Sequence, residues 1–131
     1  MAMAFFEAFN GRDFDALAMV LDPDCLLIDS TGEPLIGAER VIDLILRLTL
    51  TDPSFHCVIE DSVGHRDGVL LRGRVETDSD DADGRTIWQM RAHGGRISRI
   101  QSFRKKGALP IVRLFGIEED GIIPVPRQVA V

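Results

Sequence analysis

The segment CLLIDSTGEPLIGAERVIDLIL, Cys25 to Leu46, decides how the rest of the chain is read. Cys25 to Asp29 is short, apolar and β-compatible, and Ser30-Thr31-Gly32-Glu33-Pro34 is turn chemistry, so a strand runs into a loop. From Gly37 to about Leu50 the charges of Arg40, Asp43 and Arg47 fall on one stripe and Val41, Leu44, Ile45 and Leu48 on another, which is the period of an amphipathic helix. Thr51-Asp52-Pro53-Ser54 closes it. A lone aspartate, Asp29, therefore stands at the mouth of a strand. Two readings of it are open: the first residue of a turn, capping its own backbone, or an interior carboxylate, because strand alternation groups it with Leu27 and Cys25.

Upstream, Phe5, Phe6, Ala8 and Phe9 form the apolar stripe of a first helix, and Gly11 after Asn10 offers the left-handed residue that stops it. Asp13 reads as the N-cap of a second helix, in which Phe14, Leu17, Ala18 and Leu21 follow the i, i+3, i+4, i+7 spacing until Pro23 ends it. After Pro53 the pattern changes to strands: Phe55 to Arg66, Val69 to Thr77, Thr86 to His93, and Arg96 to Phe103. Asp67-Gly68 and Gly94-Gly95 are hairpin signals. The acidic run DSDDADG, Asp78 to Gly84, lacks the bidentate glutamate of a calcium loop and reads as a solvated turn.

Helices followed by strands suggest an α+β domain. With 131 residues and 45% apolar composition the chain is sized for one core. The expected architecture over residues 1–106 is a cone: a curved antiparallel sheet wrapped around three N-terminal helices, its apolar interior open to a small ligand. Residues 107–131 are too apolar for a disordered tail, and Pro110, Gly116, Gly121, Pro124 and Pro126 interrupt any long helix. They are expected to pack as an extended arm on the cone or on a dimer partner.

Fifteen Lys and Arg against 21 Asp and Glu give a net charge of −6, which repels a phosphate backbone, and Arg104-Lys105-Lys106 is too short a basic run to overturn that. Nucleic acid is not expected as a partner. No stretch has the apolar length to cross a bilayer, and MAMAFFEAFNGRDF meets Glu7 too early for a secretory signal, so no membrane association is expected. Cys25 and Cys57 stand far apart and read as reduced, buried thiols of a cytoplasmic protein.

The segments FFEAFNGRDFDAL (Phe5 to Leu17), CLLIDSTGEPLIGAERV and RISRIQSF, in this order, resemble the nuclear transport factor 2-like superfamily, the cystatin-like cone shared by ketosteroid isomerases and SnoaL-like polyketide cyclases. The resemblance covers about Ala4 to Arg104. It implies the cone fold, a homodimer formed through the outer sheet face, and a catalytic aspartate at the end of the first strand, where Asp29 falls. Such a carboxylate takes a proton from a carbon beside a carbonyl when apolar walls raise its basicity. In ketosteroid isomerases a tyrosine and a protonated aspartic acid donate to the developing oxyanion. Those positions correspond here to about Phe5 and Trp88, and the chain contains no tyrosine, so a true ketosteroid isomerase is not implied.

The remaining candidates follow from pattern. Trp88, the only tryptophan, alternates with Thr86 and Met90; it is either ordinary core or a pocket wall offering its indole N–H to a ligand oxygen. Phe5, Phe9, Leu27, Met90 and Ile100 would supply dry walls, and His56 flanks a strand start from which it could reach the pocket. His56, His65 and His93 lack metal-ligand spacing, so no metal site is expected. Arg72, Arg74 and Glu76 have the Arg-x-acid spacing similar to limonene epoxide hydrolase-like relatives. However, Val69, Leu71, Gly73, Val75 and Thr77 make the more apolar face, which leaves the charges to solvent or a dimer seam. No phosphate loop, nucleophile elbow or Cys/His pair stands out, and no cofactor is expected. The sequence therefore reads as a small-molecule protein of SnoaL-like type, an isomerase or cyclase with Asp29 as general base on an apolar carbonyl substrate. The competing reading is a non-catalytic dimeric ligand-binding or protein-interaction module.

Overall fold

In a computed structural model, whose described residues are 1–66, 68–78 and 84–104, the first apolar stripe forms α1, Ala2–Asn10, and buries Phe5, Phe6, Ala8 and Phe9. The turn after it differs from expectation: Gly11 keeps a right-handed backbone and Arg12 takes the left-handed one, with φ +56°. For a non-glycine residue that conformation costs about 1–2 kcal/mol. Arg12 offsets the cost with its own side chain, whose guanidinium donates to the carbonyls of Phe9, Pro53 and Phe55 at 3.1, 2.9 and 2.6 Å. One residue thus caps α1 and pins a distant loop.

Asp13 caps α2, Phe14–Val20, its carboxylate accepting the Ala16 N–H at 3.0 Å. The strand β1 then begins earlier than the sequence suggested, at Leu21, and runs to Ile28. Pro23 lies inside it and not after a helix. Proline has no N–H to give a ladder, and the pairing of β1 slips in register between Leu21 and Leu26, around that residue. The stretch read as a loop contains a short strand, β2, Pro34–Ile36, which folds back on the end of β1 with Leu27 opposite Leu35. After Gly37 comes α3, Ala38–Thr51, burying Val41, Ile45 and Thr49. Four strands complete the described chain: β3, His56–His65; β4, Gly68–Glu76; β5, Gly84–His93; β6, Arg96–Arg104.

The sheet is six-stranded, curved and unclosed, in the order β2-β1-β6-β5-β4-β3. It is mixed and not antiparallel throughout, because β1 runs parallel to β6. The helix α3 carries the chain from the β1 end of the sheet to its far edge, and three hairpin reversals bring β6 back alongside β1 in the same direction. The pairing is irregular at several places, with a slip between Arg91 and Ala92 in β5–β6 as well as in β3–β4. The β3–β4 pairing slips between Ile59 and Asp61, the mark of a bulge, and Gly73 sits opposite Ile59. A Cβ on Gly73 would stand 1.9 Å from the Val58 carbonyl oxygen, so only glycine allows the strands so close.

The three helices share one core with the inner face of the sheet, which contributes Cys57, Leu71, Val75, Trp88, Met90 and Ile100. That face matches the interior expected for Val69 to Thr77. The segment 107–131, read from sequence as an apolar arm, lies outside the described residues, as do Asp67 and most of the acidic run, residues 79–83.

Candidate functional site

The inner face carries an aromatic wall. Phe6 meets Trp88 edge-on with ring centroids 4.9 Å apart, Phe5 meets Phe6 at 5.2 Å, and Phe9 links Phe5 to Phe55 at 6.1 and 5.8 Å. These are favoured aromatic geometries, each contributing about 0.5–1.5 kcal/mol beyond area burial. The helix period of α1 puts Phe5, Phe6 and Phe9 on the sheet side, and β5 alternation puts Trp88 and Met90 beneath them. Met90 pairs with Ile100, which pairs with half-buried Leu27. Of the seven residues expected to line a ligand, six therefore come together. Phe6 and Phe55 join them; both lie in apolar stretches legible in sequence, Phe6 within the α1 stripe and Phe55 at the expected strand start.

Asn10 fixes this wall to β3. Its side-chain amide donates to the Cys57 carbonyl at 2.8 Å and accepts the Cys57 N–H at 2.9 Å, so it pairs with the strand edge as another strand would. Trp88 is only 6% exposed, and among the described residues none accepts from its indole N–H.

Asp29 is elsewhere. The interior placement suggested by strand alternation does not occur, because β1 ends at Ile28 and Asp29 is exposed at the start of the turn. Its Oδ1 accepts from the Thr31 N–H, the Thr31 hydroxyl and the Glu33 N–H at 2.8, 2.6 and 2.9 Å. Desolvation pushes the carboxyl up, but the hydrogen bonds from the Thr31 hydroxyl and from the backbone of Glu33, Thr31 and Gly32 outweigh it and hold it below its ordinary value. A general base needs the opposite shift.

His56 also faces away from the wall, as alternation with buried Cys57 requires. Its Nδ1 lies 3.1 Å from the Ser54 carbonyl and its Nε2 3.0 Å from Glu76. Glu76 in turn joins Arg74 and Glu60 in an ion-pair network on the outer face, where Arg72 pairs with Asp61. The Arg-x-acid spacing thus makes surface pairs. Burial raises the Cys25 and Cys57 thiols to about 11 and about 12, so neither is a ready nucleophile.

Two clefts are formed by described residues. One, of about 470 Å³, opens along α3 between Leu35, Glu39, Asp43, Leu44 and Arg47. The other, of about 320 Å³, lies between Leu21, Pro23, Ile36, Ala38 and Arg96. Neither includes Trp88 or Asp29. No helix among the described residues is long and apolar enough to cross a membrane.

Residues 2–100 match the family model described as SnoaL-like domain. No curated protein matches the chain. Solved structures share the fold. A candidate polyketide cyclase from Sinorhizobium meliloti is 21% identical with a TM-score of 0.70, over 76% of this chain and 89% of that one. IdmH, a candidate polyketide cyclase from Streptomyces antibioticus, is 16% identical with a TM-score of 0.70, over 87% and 95%. A protein with a cystatin-like fold from Xanthomonas campestris is 14% identical with a TM-score of 0.71, over 79% and 86%.

Proposed function

The chain belongs to the SnoaL-like domain family, and from that premise we propose that it binds a small, largely apolar molecule bearing an oxygen acceptor, seated against Phe5, Phe9 and Trp88. The observation that carries this reading is the continuous aromatic wall of Phe5, Phe6, Phe9, Phe55 and Trp88 on the inner face, in which Trp88 brings the chain's one indole N–H. Apolar surroundings make one such hydrogen bond selective, because a ligand lacking the oxygen leaves the donor unsatisfied. Met90, Ile100 and Leu27 supply the continuation of the dry surface. Two polyketide cyclase candidates among the structural relatives make polyketone-like carbonyl compounds a sensible ligand class to try.

The non-catalytic form of this reading is the one the geometry supports best. In the catalytic form, an isomerase or cyclase, Asp29 would take a proton beside the ligand carbonyl. Its exposed, turn-bound carboxylate weighs against that step. Pairing of two copies and a cytoplasmic setting belong to the same proposal; two free, buried thiols suit a reducing compartment.

The single tryptophan is an intrinsic reporter. Titration with a panel of apolar ketones and their matching hydrocarbons, followed by Trp fluorescence and by calorimetry, tests the proposal. Trp88→Phe keeps the ring but removes the donor, and is expected to weaken ketones roughly 3- to 10-fold while leaving hydrocarbons unchanged. Equal effects on both classes would overturn the assignment. Asp29→Asn is expected to leave ketone affinity unchanged. Isomerisation of a β,γ-unsaturated ketone that is lost in Asp29→Asn would replace the non-catalytic form with the catalytic one.

A further inference from the structure

On the outer face of the sheet the strand register lines up two polar rows between apolar flanks. In one, Leu26, Arg99 and Arg91 follow one another across β1, β6 and β5. In the next, two residues along each strand, Ile28, Gln101, Gln89 and Leu70 run from β1 to β4. Residues two apart share a face, and direct cross-strand neighbours have Cβ atoms about 4.5–5.5 Å apart, so the two arginines and two glutamines form one group. Met90 and Ile100, which lie between them in sequence, belong to the inner core, so this group is on the far side of the sheet from the aromatic wall.

Gln101 is 1% exposed and Gln89 2%. Gln89 Nε2, Arg91 Nε and Arg99 Nε are buried donors with no acceptor among the described residues. The one bond inside the group, from Arg99 to Gln101 Oε1 at 3.1 Å, goes to a neutral acceptor. Loss of solvent, and then the charge of Arg91, hold the Arg99 guanidinium below its ordinary value, the mark of a cation without a counter-charge. The described acids of this face are engaged elsewhere: Asp61 pairs with Arg72, and Glu60 and Glu76 with Arg74, toward β3. Gly68, opposite Arg91 on β4, brings no side chain to the row. Arginine does not shed its proton in a protein, so what compensates the pair has to be an anion.

We propose that Arg91, Arg99 and Gln89 form an oxyanion site, which takes the carboxylate or phosphate group of a small molecule. Each guanidinium offers parallel N–H donors that match two oxygens of either group, and the Gln89 amide adds a neutral donor. Leu26 and Ile28 on one side and Leu70 on the other keep water from the group, which strengthens each charge-assisted bond.

The test titrates the full chain, with nitrogen-15-labelled side chains, with sodium acetate and separately with inorganic phosphate, at constant ionic strength. Saturable shifts of the Arg91 and Arg99 Nε–H and Gln89 amide signals are expected, with a rise in Tm of roughly 2–6 °C. Response to acetate alone assigns the site to a carboxylate, and response to phosphate alone to a phosphoryl group; either supports it, as does response to both. No saturable shift with either anion overturns it. R91Q and R99Q are each expected to weaken binding roughly 10- to 100-fold, and Q89L about 3- to 10-fold; affinities unchanged in all three would place the anion elsewhere and overturn the assignment. Before anion is added, R99M is expected to keep or raise the Tm, because it removes an uncompensated buried charge. A fall in Tm there would show that a carboxylate of the polypeptide already neutralises Arg99, and would rule the site out.

Discussion

Leu70 and Leu71 are neighbours in sequence, and each is 1% exposed, but they stand in different chemistry. Leu71 pairs with Trp88 on the inner face and packs in the core that the helices share. Leu70 pairs with Gln89 on the outer face, in a row that continues to Gln101. The inner face is held by apolar area and ring geometry, which need no specific partner to be worth their burial. Among the described residues, the outer face combines three buried donors that lack acceptors with exposed ion pairs such as Arg72 and Asp61. Burial alone therefore does not rank the two sides. The inner side is held by apolar packing, and the outer side combines burial with polar groups that the described residues leave unpaired.

The largest effect that sharpens this contrast is expected from Trp88→Ala, which removes the ring meeting Phe6 and leaves a cavity under α1. A loss of about 3–5 kcal/mol in denaturant unfolding is expected. A loss below about 1 kcal/mol would show that the wall is a loosely filled pocket and break the assignment of stability to this face. Next comes Gly73→Ala, where the added methyl meets the Val58 carbonyl. About 1–3 kcal/mol should be lost, with increased hydrogen exchange at the β3–β4 pairing. Unchanged exchange there would mean that the close approach does not hold the bend.

Asn10→Ala should cost about 1–3 kcal/mol, since it leaves both backbone groups of Cys57 without their partner. The outer pair should matter least: Asp61→Asn is expected to cost about 0.2–1 kcal/mol, vanishing in high salt. A loss rivalling Trp88→Ala would reverse the contrast. Acid titration probes the rim between the faces. The Asp29 carboxyl is held below its ordinary value of 3.8 in the folded chain, so its contribution is present above that value and is lost as the pH falls through the lower, folded pKa. Asp29→Asn should flatten the stability curve in that acid range, losing stability near neutrality, where the carboxylate contributes, and converging with the wild type in acid. An NMR titration of Asp29 above 3.8 would contradict the turn geometry.

Much of the architecture was legible because it follows from local period and local chemistry. The α1 stripe, the Asp13 cap, the α3 stripes and the inner face of β4 all appear within a few residues of where pattern placed them. The misses involve choices that side chains make at a distance. Gly11 is the better left-handed residue by propensity, but Arg12 takes that conformation because its guanidinium finds the carbonyls of Pro53 and Phe55 some forty positions away. β2 is only three residues long, too short to show alternation, and exists because β1 offers it an edge. The candidate wall was readable from its aromatic residues. The position of Asp29 was not, because alternation holds only while the strand continues, and the strand stops one residue earlier.

By itself the sequence determined the class of the fold and the membership of its core, since apolar period is fixed by the order of residues and by backbone geometry that every helix and strand shares. The tertiary structure alone decided which strands run parallel, that Asp29 serves a turn while Trp88 meets Phe6 edge-on in an aromatic wall, and that a second buried surface lies across the sheet from the first. Those outcomes depend on contacts between residues far apart in the chain, whose energies exist only once the elements have met.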